Sequence, residues 1–300
     1  MNNILYTNEV SLKNFQHLEV RIVPHQQTAW LYFNPQPRSC FTLTLVKELC
    51  DFQSILKNHE GKLPCNGKLV DIEYTVLASR HPVFSFGGDL NYFIECIDNN
   101  DRNALRTYAK YCIDAMYDNQ VGREFGITTI SLVHGSALGG GFEAALCTHV
   151  MVAERSTNMG LPEVLFNLFP GMGAYQLLTQ RVSPAMAEKM MLNGRLYSAD
   201  ELYELGIIDV LVEDGEGRSA VDSYIRINNK RKKAMTAIRK VRQLADPVDY
   251  QQLLDIGDLW VDTAFNLSEK DLRMMQRLVR SQERFTSQDN HLPLVKVTAS

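Results

Sequence analysis

Two glutamates in this sequence each stand beside a glycine or a proline at the start of a helix-forming segment. Glu143 follows three glycines in SLVHGSALGGGFEAALC, and Glu163 follows Pro162 in NMGLPEVLF. Compensation of the helix dipole explains either acid on its own. Two such acids with apolar neighbours favour a general acid and a general base in a dry pocket, where their surroundings set different pKa values.

Two glycine-rich turns could present main-chain N–H groups to a ligand. Gly139–Gly141 lie between a strand-like run that ends at His134 and a helix predicted to begin near Gly140, and FSFGGDL (84–90) repeats the order of strand, glycines and acid. Glycines let an oxygen approach the free N–H groups at a helix start. A phosphate site is disfavoured because the P-loop and GxGxxG patterns are not met. The pair predicts an oxyanion hole, although each turn alone also fits a tight strand-to-helix connection.

The elements that must position these residues alternate between strand-like and helix-like segments. Period-two alternation and β-branched residues predict strands in HLEVRIVPH, TAWLYFNP, DIEYTVLASR and GITTISLVHG. Apolar residues at helical spacing predict helices in LTLVKELCDFQSILKNH and NALRTYAKYCIDAMYDNQ. This alternation favours an α/β architecture with crossover helices.

The second half of the sequence is predicted to be mainly helical. Short helices are indicated in GAYQLLTQRV, PAMAEKMMLNG and SADELYELG, the last with Ser198 as N-cap and Gly206 at its C-terminal end, and IIDVLVE is a last short strand. From Arg218 to about Arg284 the pattern is helical, with a break near Asp246–Pro247. We therefore divide the chain into a core at residues 1–215 and a helical C-terminal region at residues 216–300.

Composition argues against several classes of protein. The net charge is −4, and nothing indicates nucleic-acid binding. There is no run of about 18 apolar residues, so no membrane span is predicted, and MNNILYTNEVSLKNF lacks a signal-peptide pattern. Six cysteines without a CxxC pair are typical of reduced thiols in a cytoplasmic protein. The histidines lack metal-ligand spacing, so we expect no metal and a structural, hydrogen-bonded His134.

Three segments resemble the crotonase (enoyl-CoA hydratase/isomerase) superfamily: HGSALGGGFEAALCTHVMVAE, GLPEVLFNLFPGMGAYQLLTQRV and NGRLYSADELYELGIIDVLVE. The similarity runs from about Ser79 to Glu213. It implies a spiral of ββα repeats, a homotrimer, a thioester substrate carried on coenzyme A or acyl carrier protein, and no cofactor. It also implies catalytic roles for Glu143 and Glu163 and an oxyanion hole formed by the N–H groups of Gly88 and Gly140.

The extensions at both ends, together with FPGMGAY and SFGGDL, are similar to the bacterial diffusible-signal-factor synthases, a crotonase branch. That resemblance implies dehydration of a 3-hydroxyacyl-ACP to a cis-2-enoyl-ACP, followed by hydrolysis to a free fatty acid. It implies a regulatory sensor protein as a partner, and a C-terminal region that trimerises and covers the acyl pocket. Substrate-binding positions are implied at Gly87, Leu138, Met172 and Trp260. Two alternatives are an enoyl-CoA hydratase of fatty-acid degradation and a crotonase-fold partner of a signalling protein.

A basic cluster, RINNKRKKAMTAIRKVR (226–242), stands out in an acidic sequence. It fits a solvated helix face. It also fits a docking strip for an acidic partner such as acyl carrier protein, or for the phosphates of coenzyme A.

Overall fold

The computed structural model of the protein describes residues 9–12, 15–120 and 125–287, and its largest element is a seven-stranded sheet. Most of the N-terminal stretch on which the signal-peptide prediction rests, residues 1–8 and 13–14, lies outside the described residues, as do residues 121–124 and 288–300. The strands are β1 (Val10–Ser11), β2 (Leu18–Val23), β3 (Thr28–Phe33), β4 (Lys62–Cys65), β5 (Lys68–Asp71), β6 (Tyr74–Ser79), β7 (Thr128–Val133), β8 (Ser136–Leu138), β9 (Val150–Glu154), β10 (Asn158–Gly160), β11 (Leu196–Ser198) and β12 (Val210–Val212).

Five neighbouring strands of the large sheet run parallel. Its order is β1-β2-β3-β6-β7-β9-β12, with parallel pairing from β3 onward and an antiparallel β1–β2–β3 meander at one edge. Strands β8, β10 and β11 form a second sheet, and β4 pairs with β5. Parallel neighbours need crossover connections, and the chain makes several of them with helices. The predicted α/β architecture with a helical C-terminal region is confirmed.

The helices are α1 (Leu43–Asn58), α2 (Leu90–Asp98), α3 (Arg102–Gln120), α4 (Gly140–Leu146), α5 (Ala174–Thr179), α6 (Pro184–Asn193), α7 (Ala199–Glu204), α8 (Gly217–Asn228), α9 (Lys232–Ala245), α10 (Tyr250–Ala264) and α11 (Glu269–Ser287). Short 3₁₀ helices occupy Pro24–Gln26, Pro162–Phe166 and Asn229–Arg231. None of the helices in the described ranges is both long and apolar enough to cross a membrane.

The two faces of the large sheet pack against different helices. Trp30, on one face of β3, belongs to a cluster that includes Val221 and Ile225 of α8. Leu31, on the opposite face, belongs to the main core with side chains of α1, α3 and α4. The central strands β3, β6 and β7 are buried on both faces, as is typical of parallel sheets. Helix α8 therefore forms a layer of the core structure, although it lies beyond residue 215.

The longer predicted elements are confirmed. The predicted strands correspond to β2, β3, β6, β7 and β12, and the two long predicted helices to α1 and α3. Ser198 and Glu201 form a complete capping box at α7, and Gly206 follows the helix with a φ of +74°. Sequence analysis did not identify β1, β4, β5 or β8–β11, because strands of two to five residues have few positions for periodicity. The equally short β12 was found because it lies in a longer apolar run. Sequence analysis also did not identify two breaks in the C-terminal region, one between α8 and α9 and one between α10 and α11.

Helix α10 brings the C-terminal region onto the core. Gly257 of α10 lies so close to α3 that a Cβ there would be 2.7 Å from Cδ1 of Ile113. One turn later, Trp260 is 3% exposed, and its ring centroid lies 5.0 Å from that of Phe93 in an edge-to-face arrangement. A Cβ on Gly171 would be 2.4 Å from the Trp260 ring. Two glycines therefore allow the close approach that buries Trp260.

Replacing Gly257 with leucine should lower the free energy of unfolding by about 1–3 kcal/mol, the usual cost of overpacking, because the new side chain must displace Ile113. Gln252→Leu, at an exposed position of the same helix, is the matched control. Chemical denaturation of both variants measures the difference. Equal stability of the two variants would show that α10 does not depend on close contact with α3 at this position.

Candidate active site

The two glycine-rich turns identified in the sequence lie against each other. If a Cβ atom were added to Gly140, it would lie 3.4 Å from the N atom of Gly88. If a Cβ atom were added to Gly87, it would lie 3.1 Å from the N atom of Gly140. The Phe41 N–H donates to the Gly87 carbonyl oxygen at 2.8 Å and fixes one turn. Gly87 has a φ of +93°, and a Cβ there would be 2.6 Å from the Leu138 carbonyl oxygen. This close approach of main chain to main chain requires glycine.

The N–H groups of Gly88 and Gly140 are available to a ligand. Gly140 is the first residue of α4, a position that has no intrahelical acceptor. Within the described part of the chain, neither N–H has a main-chain acceptor. Two neighbouring donors can share one oxygen atom on which negative charge develops, and loss of one such donor typically costs about 3 kcal/mol of transition-state stabilisation. This geometry is suited to an oxyanion hole.

Glu143 is enclosed in the protein interior and held by main-chain donors. It lies in the first turn of α4 and is 1% exposed. Its Oε1 atom accepts hydrogen bonds from the N–H groups of Met172, at 2.9 Å, and Ala174, at 3.1 Å. Burial raises the pKa of Glu143 to about 7, against the opposing effect of these two donors. The side chain can therefore gain or lose a proton near neutral pH.

Glu163 faces the same pocket from the 3₁₀ helix Pro162–Phe166. Its Oε2 atom is fully enclosed and has no hydrogen-bond partner among the described residues, although other parts of the residue reach solvent. Burial raises the pKa of Glu163 to about 8, and the negative charge of Glu143 adds to the shift. Burial disfavours the charged form of both carboxylates, and a negative charge on one carboxylate disfavours ionisation of the other. The pair therefore retains a proton more readily than two exposed acids would.

The glycine before α4 is needed by Glu163. Gly139 has a φ of +52°, and a Cβ at this position would be 2.3 Å from the Glu163 Oε1 atom. The Gly139 N–H donates to the Gly160 carbonyl oxygen at 2.8 Å, which ties the turn to β10. Any larger residue would push the carboxylate away. Within the run of three glycines, Gly139 thus makes room for an acid and Gly140 offers an N–H group.

The eight residues predicted to form the site all line one pocket: Gly87, Gly88, Leu138, Gly140, Glu143, Glu163, Met172 and Trp260. The pocket has an empty volume of about 1020 Å³, including its open mouth, and its walls are mainly apolar. The structure therefore brings together residues that are up to 173 positions apart, from Gly87 to Trp260. Their individual roles remain predictions.

Several residues of this site were not found by sequence analysis. Ala174 was missed, because main-chain contacts leave no side-chain signal. Gly139 was recognised only as part of a glycine-rich turn, and not as the residue that makes room for Glu163. Tyr108 was also missed: it is fully buried and its hydroxyl donates to the Phe41 carbonyl oxygen at 2.6 Å, behind the turn that carries Gly88. His134 does not line the pocket, and its Nε2 atom is 2.8 Å from the His81 carbonyl oxygen, as a structural residue would be. The described residues contain no group of three metal-ligating side chains.

The fold and this site define a crotonase-like protein, and comparisons with known proteins agree. A family model described as enoyl-CoA hydratase/isomerase matches residues 68–282. The chain therefore belongs to the enoyl-CoA hydratase/isomerase family. A probable enoyl-CoA hydratase of Bacillus subtilis is 29% identical over 131 residues, 44% of this chain and 48% of that protein. Alignments with the first curated relatives cover only 20% and 48% of their lengths.

Solved structures agree with the fold assignment. The enoyl-CoA hydratase of Bacillus halodurans superposes with a TM-score of 0.73 at 17% identity, over 88% of this chain and 100% of that chain. DspI of Pseudomonas aeruginosa superposes with a TM-score of 0.66 at 25% identity, over 84% of this chain and 97% of that chain. The similarity in three dimensions thus extends over most of the protein, including much of the C-terminal region.

Glu163→Gln should raise the free energy of unfolding at about pH 8–9 and change it little near pH 4. Because the folded-state pKa of about 8 lies above the ordinary value of 4.5, the folded protein binds this proton more tightly than the unfolded chain does. The contribution to stability is complete at low pH and is lost as the pH rises through the folded pKa. Glutamine does not ionise, so the variant does not lose this part of the free energy of unfolding at high pH. The difference is on the order of a few kcal/mol.

Denaturation at several pH values measures this effect, with Glu188→Gln at an exposed position of α6 as the control. If Glu163→Gln and the control show the same pH dependence as the parent protein, the Glu163 carboxylate is not enclosed.

Proposed function

We propose that this protein dehydrates a 3-hydroxyacyl thioester on acyl carrier protein to the cis-2-enoyl thioester, and then hydrolyses the thioester to release an unsaturated fatty-acid signal. The observation that carries the proposal is the pair of enclosed carboxylates beside the N–H groups of Gly88 and Gly140, in one apolar pocket. Family membership supports chemistry on an acyl thioester. The sequence resemblance to diffusible-signal-factor synthases supports the second step.

In the dehydration, the thioester oxygen accepts hydrogen bonds from both N–H groups, which stabilises the enolate and makes the α-proton more acidic. Glu143 removes this proton, because the donors at Met172 and Ala174 favour its ionised form. Glu163, whose raised pKa keeps it protonated, donates its proton to the departing 3-hydroxyl group. The products are the enoyl thioester and water, with Glu143 protonated and Glu163 ionised.

The hydrolysis restores both acids to their starting states. Ionised Glu163 takes a proton from a water molecule as its oxygen attacks the thioester carbonyl, and the same two N–H groups stabilise the tetrahedral oxyanion. The carbon–sulfur bond then breaks, and the departing thiol receives the proton held by Glu143. The free acid and the carrier thiol leave, Glu143 is again ionised and Glu163 is again protonated.

The walls of the pocket support a medium or long acyl chain. Apolar side chains from four helices line it: Leu49, Phe93, Tyr108, Met116 and Trp260 are among them. Burial of an alkyl chain contributes about 0.8 kcal/mol for each methylene. A chain that fills this space is therefore held firmly while water attacks the carbonyl.

An enoyl-CoA hydratase is the second candidate. The same acid–base pair and N–H groups can add water to a 2-enoyl thioester, and the family match favours this activity. The distinguishing observation is the product, because a hydratase releases an intact thioester. A third candidate is a crotonase fold that serves as the binding partner of a signalling protein; the complete acid pair argues against loss of catalysis.

We also propose a homotrimer in which α9 contacts a neighbouring copy. No residue of α9 is buried, and Ile238, Val241 and Leu244 are 67%, 64% and 85% exposed. Apolar side chains at this spacing lie close together on a helix. Such a surface is suited to an interface between subunits.

The purified protein should convert 3-hydroxydodecanoyl-ACP to free 2-dodecenoic acid, detected by mass spectrometry. 3-Hydroxybutyryl-ACP should be a poor substrate, because it leaves most of the apolar pocket unfilled. Glu143→Gln and Glu163→Gln should each lower the rate by at least about 100-fold, since each removes a proton-transfer group. Glu188→Gln should retain the parent rate. Rapid hydration of crotonyl-CoA without release of any free acid would replace the synthase proposal with the hydratase.

Reversing Lys230, Arg231 and Lys233 to glutamate should raise KM for acyl-ACP and leave kcat nearly unchanged. These three residues are exposed, whereas the neighbouring Lys232 pairs with Glu73. The increase in KM should fade with added salt, because exposed charges are screened over about 8 Å at physiological ionic strength.

The control is the reversal of three exposed lysines elsewhere, Lys68, Lys189 and Lys270, which changes the net charge equally. An equal KM in both triple variants would mean that the basic cluster is only a solvated surface.

A further inference from the structure

A second cleft in the protein collects three arginine side chains. Arg181, just after α5, and Arg239 and Arg242 of α9 line it, together with His149 and Tyr117. Its empty volume is about 760 Å³, including its open mouth. Among the described lining residues Asp246 is the one carboxylate, so the cations outnumber it three to one. This is an unusual concentration of positive charge in a chain with a net charge of −4.

The three arginines differ in how their charge is balanced. The Arg181 side chain is 7% exposed and pairs with Asp209 at 3.2 Å. Arg239 donates to the Thr128 hydroxyl, and Arg242 donates to the Gln180 carbonyl oxygen at 3.1 Å. Neither Arg239 nor Arg242 has a carboxylate within 4.0 Å among the described residues. Burial lowers the pKa of Arg242, and the charge of Arg181 lowers it further, so the guanidinium groups repel one another.

His149 adds a neutral side chain to the lining of this cleft. Its Nδ1 atom accepts a hydrogen bond from the Thr129 N–H at 3.0 Å, so the neutral ring carries its proton on Nε2. Burial lowers the pKa of His149 to about 3, and the charges of Arg239, Arg242 and Arg181 add to the shift. The ring therefore stays neutral at physiological pH, and His149 is one of the residues that line the cleft.

The cleft lies on the other side of two helices from the acyl pocket. Near the end of α3, Asn119 lines the acyl pocket, whereas Tyr117 lines the cleft. At the end of α4, Cys147 lines the pocket and Leu146 lines the cleft. A ligand in the cleft is thus separated by protein from a thioester held at Gly88 and Gly140.

We propose that this cleft binds the phosphate group of a small organic phosphate, with the organic part against Tyr117 and Val248. Guanidinium groups match phosphate oxygens in geometry, and such charge-assisted hydrogen bonds are strong. A phosphate monoester carries close to two negative charges at neutral pH. Arg181 is paired with Asp209, but Arg239 and Arg242 have no carboxylate within 4.0 Å among the described residues and can each pair with the phosphate. The apolar part of the lining, which includes Leu146 and Pro247, suits the organic group.

Calorimetric titration tests this site with phenyl phosphate and inorganic phosphate as probes. Phenyl phosphate should bind, and more tightly than inorganic phosphate, since its ring adds apolar contact. The double variant Arg239→Gln/Arg242→Gln should bind phenyl phosphate at least about tenfold more weakly, because it loses two charge-assisted contacts. Lys189→Gln/Lys270→Gln, at exposed positions of α6 and α11, removes the same charge and should bind like the parent protein.

A titration with coenzyme A separates two sources of the phosphate. If the arginine double variant loses coenzyme A binding together with phenyl phosphate binding, the cleft binds the phosphates of coenzyme A. If it loses only phenyl phosphate binding, the ligand is a separate organic phosphate.

Three results would overturn the proposal. They are no binding of phenyl phosphate to the parent protein, equal affinity in the parent and the arginine double variant, and dissociation of an oligomer by that double variant in phosphate-free buffer. In the last case the arginines would bind a carboxylate of a neighbouring copy instead.

Discussion

The enclosure of two carboxylates in one apolar pocket is the constraint on which the rest of the site depends. Removing a carboxylate from water penalises its charged form, and a second carboxylate nearby increases the penalty. The protein relieves this penalty at Glu143 with two main-chain N–H groups, whereas none of the described residues donates a hydrogen bond to Glu163 Oε2. Two identical side chains thereby acquire different proton affinities. This asymmetry, and not residue type, separates a base from an acid.

The enclosed pocket also explains why glycines occupy its two turns. Glu163 can approach the turn before α4 only because Gly139 has no side chain, and the turn that carries Gly88 can approach only because Gly87 has none. Donors on the main chain are fixed by the fold and need no reorganisation during the reaction. The polar part of the pocket is therefore built from main-chain N–H groups and two acids, and the rest of its wall is mainly apolar.

Sequence reasoning located this pocket because acids beside glycine or proline leave a visible pattern. It could identify Glu143 and Glu163, and the resemblance added Gly88 and Gly140. It could not identify the donors at Met172 and Ala174, since every residue except proline has an N–H group and only the fold selects two of them. The short strands β8 and β10 were also missed, although β8 leads directly into the turn before α4. Each has three residues, too few to show a period unless a longer apolar run surrounds them.

The basic cluster shows a different limit. The sequence of residues 226–242 suggests one continuous charged surface. In the structure, however, the basic side chains of this cluster contact different partners. Lys232 pairs with Glu73, whereas Arg239 and Arg242, three positions apart on α9, both turn toward the second cleft. Charge in a sequence can be counted, but the surface it forms depends on helix rotation and on what packs against the helix.

Helix α4 contributes residues to both cavities. Packing must hold this helix in place. It has only seven residues, too few to be stable by helix formation alone. Its side chains from Phe142 to Leu146 are all buried, so contacts on every side hold it in place. Its first residue offers the Gly140 N–H to the acyl pocket, and its last, Leu146, lines the arginine cleft. The position of the Gly140 N–H group thus depends on packing at the far end of the same short helix.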